Sequence, residues 1–322
     1  MSNAAATEPE IDLDAVRANA RAFAESRAAL GDEKWLRELE AYFAEQDEDA
    51  RYTAVTEIVH WERPPYEFLA GLTQDARPIV RGMACYALRS QDYREDAPER
   101  GALLYPQAVP VLIEMLNDPD AEVRSCAVSA VANHSLPVCV SALLKMPFDS
   151  SEKVRLALAQ AFGSFWEDYW KKFGEENKPA VQAALLQLMD DEDDETRNWA
   201  TFGIHLTGHD TPEIRAHLWQ ALDDSYYIVR GEAASALSIF GDRSFIPRLA
   251  QLLREDKSCS TLYFEAAEAF NDPVLLPAVL EAAAYYRGTL EEGETMPSEI
   301  AATIEKLQET ATSASAPQSV VN

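Results

Sequence analysis

The sequence predicts an all-α protein, a right-handed α-solenoid of about seven helical hairpins. Three observations carry that prediction. One acidic turn with an arginine recurs along the chain in a fixed register. A second helical pattern precedes each copy. Alternating apolar and polar runs bounded by hairpin turns, the mark of strands, are nearly absent.

The turn appears as "DARPIVRGMACYAL" from Asp75, "DPDAEVRSCAVSAV" from Asp118, "DSSEKVRLALAQAF" from Asp149, "DEDDETRNWATFGI" from Asp191 and "DSYYIVRGEAASAL" from Asp224. In each, an aspartate is followed six residues later by an arginine: Arg81, Arg124, Arg155, Arg197 and Arg230. The residue before the arginine is Val or Thr. A small or apolar residue stands three after it, a small one six after, and a large apolar one seven after. Degenerate copies surround Arg51 and Tyr263, the latter with Tyr in place of Arg. The spacings along this series are 30, 43, 31, 42, 33 and 33 residues, a helical-hairpin period with two longer connections.

The first helix of each hairpin, helix A, is read from residues 105–116, 177–189, 211–222, 242–255 and 272–286. Apolar residues recur there at three and four, so one stripe faces a core. Several of these segments carry Pro near the start, where a missing N–H costs nothing. Helix B follows the acidic turn. Its small residues, such as Ala84, Ala127, Ala200 and Ala233, let it approach its neighbours closely. One hairpin cannot bury its apolar faces alone; a row of them buries a continuous core.

The unit D-x-x-x-x-V-R-x-x-A-x-x-A-L resembles the HEAT repeats, and the phycocyanobilin-lyase-like HEAT repeats, of bacterial proteins. Val123, Arg124, Ala127, Ala130 and Val131 carry the resemblance, as do Val229, Arg230, Ala233, Ala236 and Leu237. It covers residues 31–287 and weakens at the first and last copies, as capping repeats do. It implies helix B on the concave side. It implies no particular chemistry, because such arrays host many roles.

Outside the repeats, residues 1–30 read as an N-terminal arm with a capping helix over 14–30 stopped at Gly31. Residues 288–310 read as a C-terminal loop and helix, and 311–322 as a disordered tail. The two long connections, 90–107 and 163–178, fall after a helix B and before the next helix A. The second holds Trp166, Tyr169, Trp170 and Phe173 beside Lys171 and Lys172. These aromatics either pack on the next repeat or contact a partner.

The 322 residues carry 55 acids and 28 bases, a formal charge of −27. That sign repels phosphate backbones and anionic membranes and attracts basic proteins. Cys85, Cys126, Cys139 and Cys259 form no CxxC pair. The N-terminal residues are acidic and lack an apolar signal region. The expectation is a soluble, cytoplasmic protein.

Chemistry finds little support. In "DDEDDETRNWA", residues 190–200, Asp191, Asp193 and Glu195 match the first calcium ligands of an EF-hand, but Thr196 and Phe202 stand where Gly and Glu are required. His205 and His209 have metal spacing, but Gly208 is expected to end their helix. His60, His134 and His217 join no ligand set, and the chain has no His-Glu pair of the kind HEAT hydroxylases carry. No nucleophile elbow, phosphate loop or dinucleotide fingerprint occurs. The acidity argues against a DNA glycosylase of this fold.

A binding surface remains. Residues two and five beyond each arginine are expected to look outward from helix B. They are Thr53 and Thr56, Met83 and Tyr86, Cys126 and Ser129, Trp199 and Phe202, then Glu232 and Ser235. Tyr86, Trp199, Phe202, Glu232, Trp166 and Trp170 are the candidate partner contacts. Trp199 either anchors a partner or packs on the neighbouring helix B. Asp191 is expected to cap helix B, and Arg197 to bridge to the acidic turn of a neighbouring repeat. Asp190, Glu192, Asp193 and Asp194 are left as acids free for contact.

The sequence thus reads as a non-enzymatic scaffold without cofactor or metal. It holds a basic protein partner on an acidic concave face, as an immunity or antitoxin-like protein holds a cationic toxin. Neither nucleic acid nor membrane is expected to bind. An accessory related to bilin lyases or hydroxylases, and a generic assembly scaffold, are the competing classes.

Overall fold

The computed structural model describes residues 66–92, 102–146, 149–165, 167–207, 210–258, 260–291 and 295–315. The copy around Arg51 with Thr53 and Thr56, the helix over 14–30, and His60, Trp166, Gly208, His209 and Cys259 lie outside them. The described residues form fifteen α-helices, short 3-10 turns and one two-residue ladder. The chain divides into two compact units, residues 1–161 and 162–322.

The first unit contains α1 (Tyr66–Leu72), α2 (Pro78–Leu88), α3 (Val109–Met115), α4 (Ala121–His134), α5 (Pro137–Leu143) and most of α6 (Glu152–Gly163). α1 packs on α2 and α3 on α4, as the A and B helices of two hairpins, and α2 packs on α4. α5 is the A helix of the third hairpin, which the sequence reading left unassigned. It is short and starts, like α3, with Pro in its first turn. The connection at 90–107 holds the ladder that the sequence did not announce: Gln91 pairs with Leu103, and Asp92 with Ala102. Two residues per strand are too few to leave an alternating pattern.

The second unit contains α7 (Glu167–Phe173), α8 (Lys178–Leu188), α9 (Asp194–Leu206), α10 (Pro212–Ala221), α11 (Tyr227–Ile239), α12 (Ile246–Glu255), α13 (Thr261–Phe270), α14 (Leu276–Thr289) and α15 (Ser298–Ser315). Helices α8, α10, α12 and α14 are A helices, and α9, α11 and α13 are B helices. α9 packs on α11 and α11 on α13, while each A helix packs on the B helix that follows it. α15 takes the place of one more B helix, packed on α13 and α14. It runs to Ser315, so residues 311–315 are helix and not tail. The Thr303 hydroxyl, which donates to the Glu299 carbonyl at 2.9 Å, also lies 3.3 Å from the carbonyl of Phe264, and Thr310 donates to Asn271 Oδ1 at 2.8 Å.

The repeat register explains the core. Three, six and seven residues past the arginine stand Ala84, Ala87 and Leu88, then Ala127, Ala130 and Val131, then Ala233, Ala236 and Leu237, all buried. In α9 the sixth position is Gly203. A Cβ there would lie 2.7 Å from the Cα of Gly163, so glycine is what allows the two backbones to meet.

Candidate functional site

The acidic turns assemble from one local arrangement. Each turn aspartate accepts the backbone N–H two residues on: Asp75 from Arg77, Asp118 from Asp120, Asp149 from Ser151, Asp191 from Asp193, Asp224 from Tyr226 and Asp256 from Ser258. That bond turns the chain into helix B. The arginine six residues on folds back over the turn. Its Nη1 donates to the carbonyls of the aspartate and the next residue, at 2.9 and 3.2 Å for Arg124. Arg81, Arg155, Arg197 and Arg230 repeat this on their own turns.

The far edge of the guanidinium reaches the next turn. Arg81 forks onto Asp118 at 2.7 and 2.8 Å, and Arg124 onto Asp149 at the same distances. In the second unit Arg197 forks onto Asp224 at 2.7 and 2.9 Å, and Arg230 onto Asp256. The bridge expected of Arg197 is therefore present. Arg81 and Arg124 hold the carboxyls of Asp118 and Asp149 below the usual range. Burial pushes Asp224 and Asp256 the other way, yet Arg197 and Arg230 bring both below it. At Tyr263 the hydroxyl donates to Asp256 at 2.6 Å, so the substituted copy closes its own turn.

The cap assignment is corrected. Asp193, not Asp191, caps α9: its Oδ2 accepts the backbone N–H and the hydroxyl of Thr196 at 2.8 and 2.7 Å. Asp191 sits two residues upstream and shapes the turn. Asp194 pairs with Arg197 at 2.5 Å. Neither Asp193 nor Asp194 is a spare acid for partner contact.

The outward face of helix B is partly as expected. Tyr86, Cys126, Ser129, Trp199, Phe202, Glu232 and Ser235 are half-buried. Arg89 lies over the Tyr86 ring at 4.1 Å. Met83 is a correction: it belongs to the core, because the long side chain finds room between helices where a shorter one would stay at the surface. Trp170 is a second correction. It is 2% exposed, edge-on to Tyr169 at 4.9 Å and to Phe165 at 6.2 Å, so it belongs to a packed aromatic cluster and offers no surface.

Trp199 and Phe202 share one turn of α9, their rings perpendicular at 5.8 Å. On α11 the position matching Trp199 is Glu232, and on α13 it is Glu265, with Glu268 one turn further. Burial, with the charge of Glu265, pushes the Glu232 carboxyl up to about 7. Burial, then Glu299 and Glu268, raises Glu265. Glu268 pairs with Lys306 of α15 at 3.1 Å. Glu265 and Glu268 were missed in the sequence, although Tyr263 marks the register that places them.

Among the described residues no group of His, Cys, Asp and Glu is arranged to hold a metal ion. His134 is buried with Nε2 on the Leu88 carbonyl, and His217 Nδ1 lies 3.0 Å from the Glu213 carbonyl. Cys85 and Cys139 are buried thiols, pushed up by burial. Among the described residues no helix is long and apolar enough to cross a membrane.

The model of the HEAT repeats matches residues 67–163 and 181–271, more than half of the chain. The chain belongs to the HEAT-repeat family. Protein YibA of Escherichia coli K12 is 31% identical to this HEAT protein over 173 residues, 51% of this chain and 56% of YibA. The chain thus spans about half the length of the curated relatives it matches. The X-ray structure of Escherichia coli YibA superposes with a TM-score of 0.64 at 20% identity, covering 94% of this chain and 99% of that one, which shows the fold. The complex of CpcE and CpcF of phycocyanin lyase from Nostoc sp. PCC7120 matches at 17% identity and a TM-score of 0.41, over 78% of this chain and 97% of that one.

Proposed function

We propose that this HEAT-repeat scaffold binds a basic protein partner on the helix-B face of its second unit, through Trp199 and Phe202 on α9 and Glu232 and Glu265 on the two B helices that follow. The carrying observation is a contrast between the acidic turns and the helix-B face of the same unit. The ladder aspartates have guanidinium partners, but Glu232 and Glu265 have no hydrogen bond or ion pair among the described residues. Glu265 is exposed, but Glu232 is half-buried; a half-buried carboxylate without a cation is unfavourable, and a partner's lysine or arginine would supply one. The perpendicular aromatic pair beside it suits an anchor. The formal charge of −27 favours fast capture of a cationic partner. An immunity or antitoxin-like protein that masks a cationic toxin is the role this chemistry fits, and it needs no catalysis by the scaffold.

The test is direct binding of a cationic protein or peptide as salt is varied. Affinity is expected to fall steeply between low and physiological salt. Glu265→Gln and Trp199→Ala are expected to weaken it. Glu213→Gln, the same charge change on helix A, is expected to leave it almost unchanged. Binding that ignores salt, or that weakens equally in all three variants, would overturn the proposal.

A further inference from the structure

The ladder ends in a cleft rather than in a last ion pair. Tyr263 stands where the preceding copies carry arginine. Counted from the cap aspartates Asp242 and Asp272, Tyr286 stands where the preceding repeat carries Asp256. Both places of the next rung are thus tyrosines, and both line one opening of about 260 Å³ between α12, α13 and α14. Phe264, Tyr285, Asp256 and Ser260 share its walls. Tyr285 is 42% exposed, and Lys257 rests its ammonium 4.5 Å from the centre of that ring, so this wall accepts a cation. On Asp118, Asp149 and Asp224 the arginine of the preceding turn forks over both carboxylate oxygens, whereas Arg230 and Tyr263 meet on Oδ2 of Asp256. Oδ1 of Asp256 accepts the Ser258 N–H and keeps a lone pair for another donor. Each of the five full copies lays an arginine over the carbonyls of its own turn. Among the described residues no arginine side chain does so on the turn that begins at Asp256.

We propose that this cleft is a receptor for a partner's arginine side chain, which supplies from outside the guanidinium that the last turn lacks. The planar group enters beside the tyrosines, displaces Lys257 from the Tyr285 ring and donates to Asp256 and Ser260. A slot walled by rings suits a guanidinium better than an ammonium, because the guanidinium is flat, stacks on aromatic faces and is more weakly hydrated. The site lies on the turn edge of the second unit, apart from the helix-B face that carries Trp199, and stands or falls without it.

The experiment titrates the full chain, by calorimetry at low salt, with a glycine-rich peptide holding one central arginine. The comparison is the same peptide with citrulline, a neutral group of the same shape. The arginine peptide is expected to bind about tenfold tighter. Tyr285→Ala, a truncation at an exposed position, is expected to weaken it about fivefold. Tyr227→Ala, at a tyrosine of another turn that is 43% exposed, is expected to leave it unchanged. Lys257→Ala removes the resident cation and is expected to tighten binding about threefold. Absence of arginine-peptide binding, equal binding of the citrulline peptide, or an equal loss in Tyr285→Ala and Tyr227→Ala overturns the proposal. So does weaker binding by Lys257→Ala. None of these results bears on the helix-B face, whose own test is the salt dependence and the loss in Trp199→Ala and Glu265→Gln.

Discussion

Arg197 holds two repeats at once: its Nη1 grips the carbonyls of Asp191 and Glu192, while Nε and Nη2 fork onto Asp224 of the next turn. Both side chains are largely withdrawn from water, at 12% and 13% exposure. Removing either partner leaves the other poorly compensated, at a cost of about 3 kcal/mol. Arg197→Lys keeps the charge but loses the planar fork, so it is expected to cost nearly as much as Arg197→Ala. A double-mutant cycle with Asp224→Asn, read by urea unfolding, is expected to show coupling above about 1 kcal/mol. Additive losses would mean that the bridge carries no stability of its own.

The same ladder fixes the acid limit of the fold. Asp118, Asp149, Asp224 and Asp256 are all held below the ordinary carboxylate range in the folded chain. Their contribution is complete above the unfolded value of about 3.9 and is lost as pH falls through the folded values. Unfolding monitored by circular dichroism is expected to set in below about pH 4. Asp118→Asn is expected to flatten that acid limb as well as lower the plateau.

Glycine positions separate tight contacts from free ones. Gly203→Ala drives a Cβ to 2.7 Å from the Gly163 backbone, and Gly231→Ala drives one to 2.8 Å from Ser260 Oγ and 2.9 Å from Leu262 Cδ1. Each is expected to destabilise by about 1–3 kcal/mol, more at Gly203, where the obstacle is backbone. Gly71→Ala meets nothing within 4 Å and sits in a helix. It is expected to stabilise by about 0.5–1 kcal/mol. Thermal melts of the three variants measure the contrast.

His134 supplies a second pH dependence. It is buried, its Nε2 meets the Leu88 carbonyl at 3.3 Å, and its Nδ1 has no hydrogen-bond partner among the described residues. Burial lowers its pKa below the ordinary value. The unfolded chain therefore binds the proton first, and stability falls as pH drops below about 6.5. His134→Leu loses a hydrogen bond, at about 1 kcal/mol. It is expected to remove this slope when urea midpoints at pH 7 and pH 5.5 are compared.

The ladder was readable because its chemistry is local and repeated: one Asp-to-Arg spacing recurs with buried small residues at fixed offsets. What escaped depends on neighbours in space. Asp191 and Asp193 both suit a cap, and only the turn geometry shows that the first shapes the chain while the second caps α9. Met83 and Trp199 hold the same register position, yet one is core and the other half-exposed, because the packing around each helix differs. Trp170 follows the same rule inside a short helix that the repeat does not template.

Glu232 joins the proposed binding face to stability, with a sign opposite to that of the ladder. Its folded pKa, at about 7, lies above the unfolded value of about 4.3. Between those values the folded chain binds the extra proton, so stability falls as pH rises and levels off above 7. Glu232→Gln removes the cost of ionising this carboxyl in place. The variant is expected to match the parent near pH 4.5 and to exceed it by on the order of 2 kcal/mol at pH 8. Urea midpoints across that range, without any partner present, measure the difference. A gap that does not widen with pH would show that Glu232 is ionised in the free fold and that the face pays no penalty for its unpaired charge.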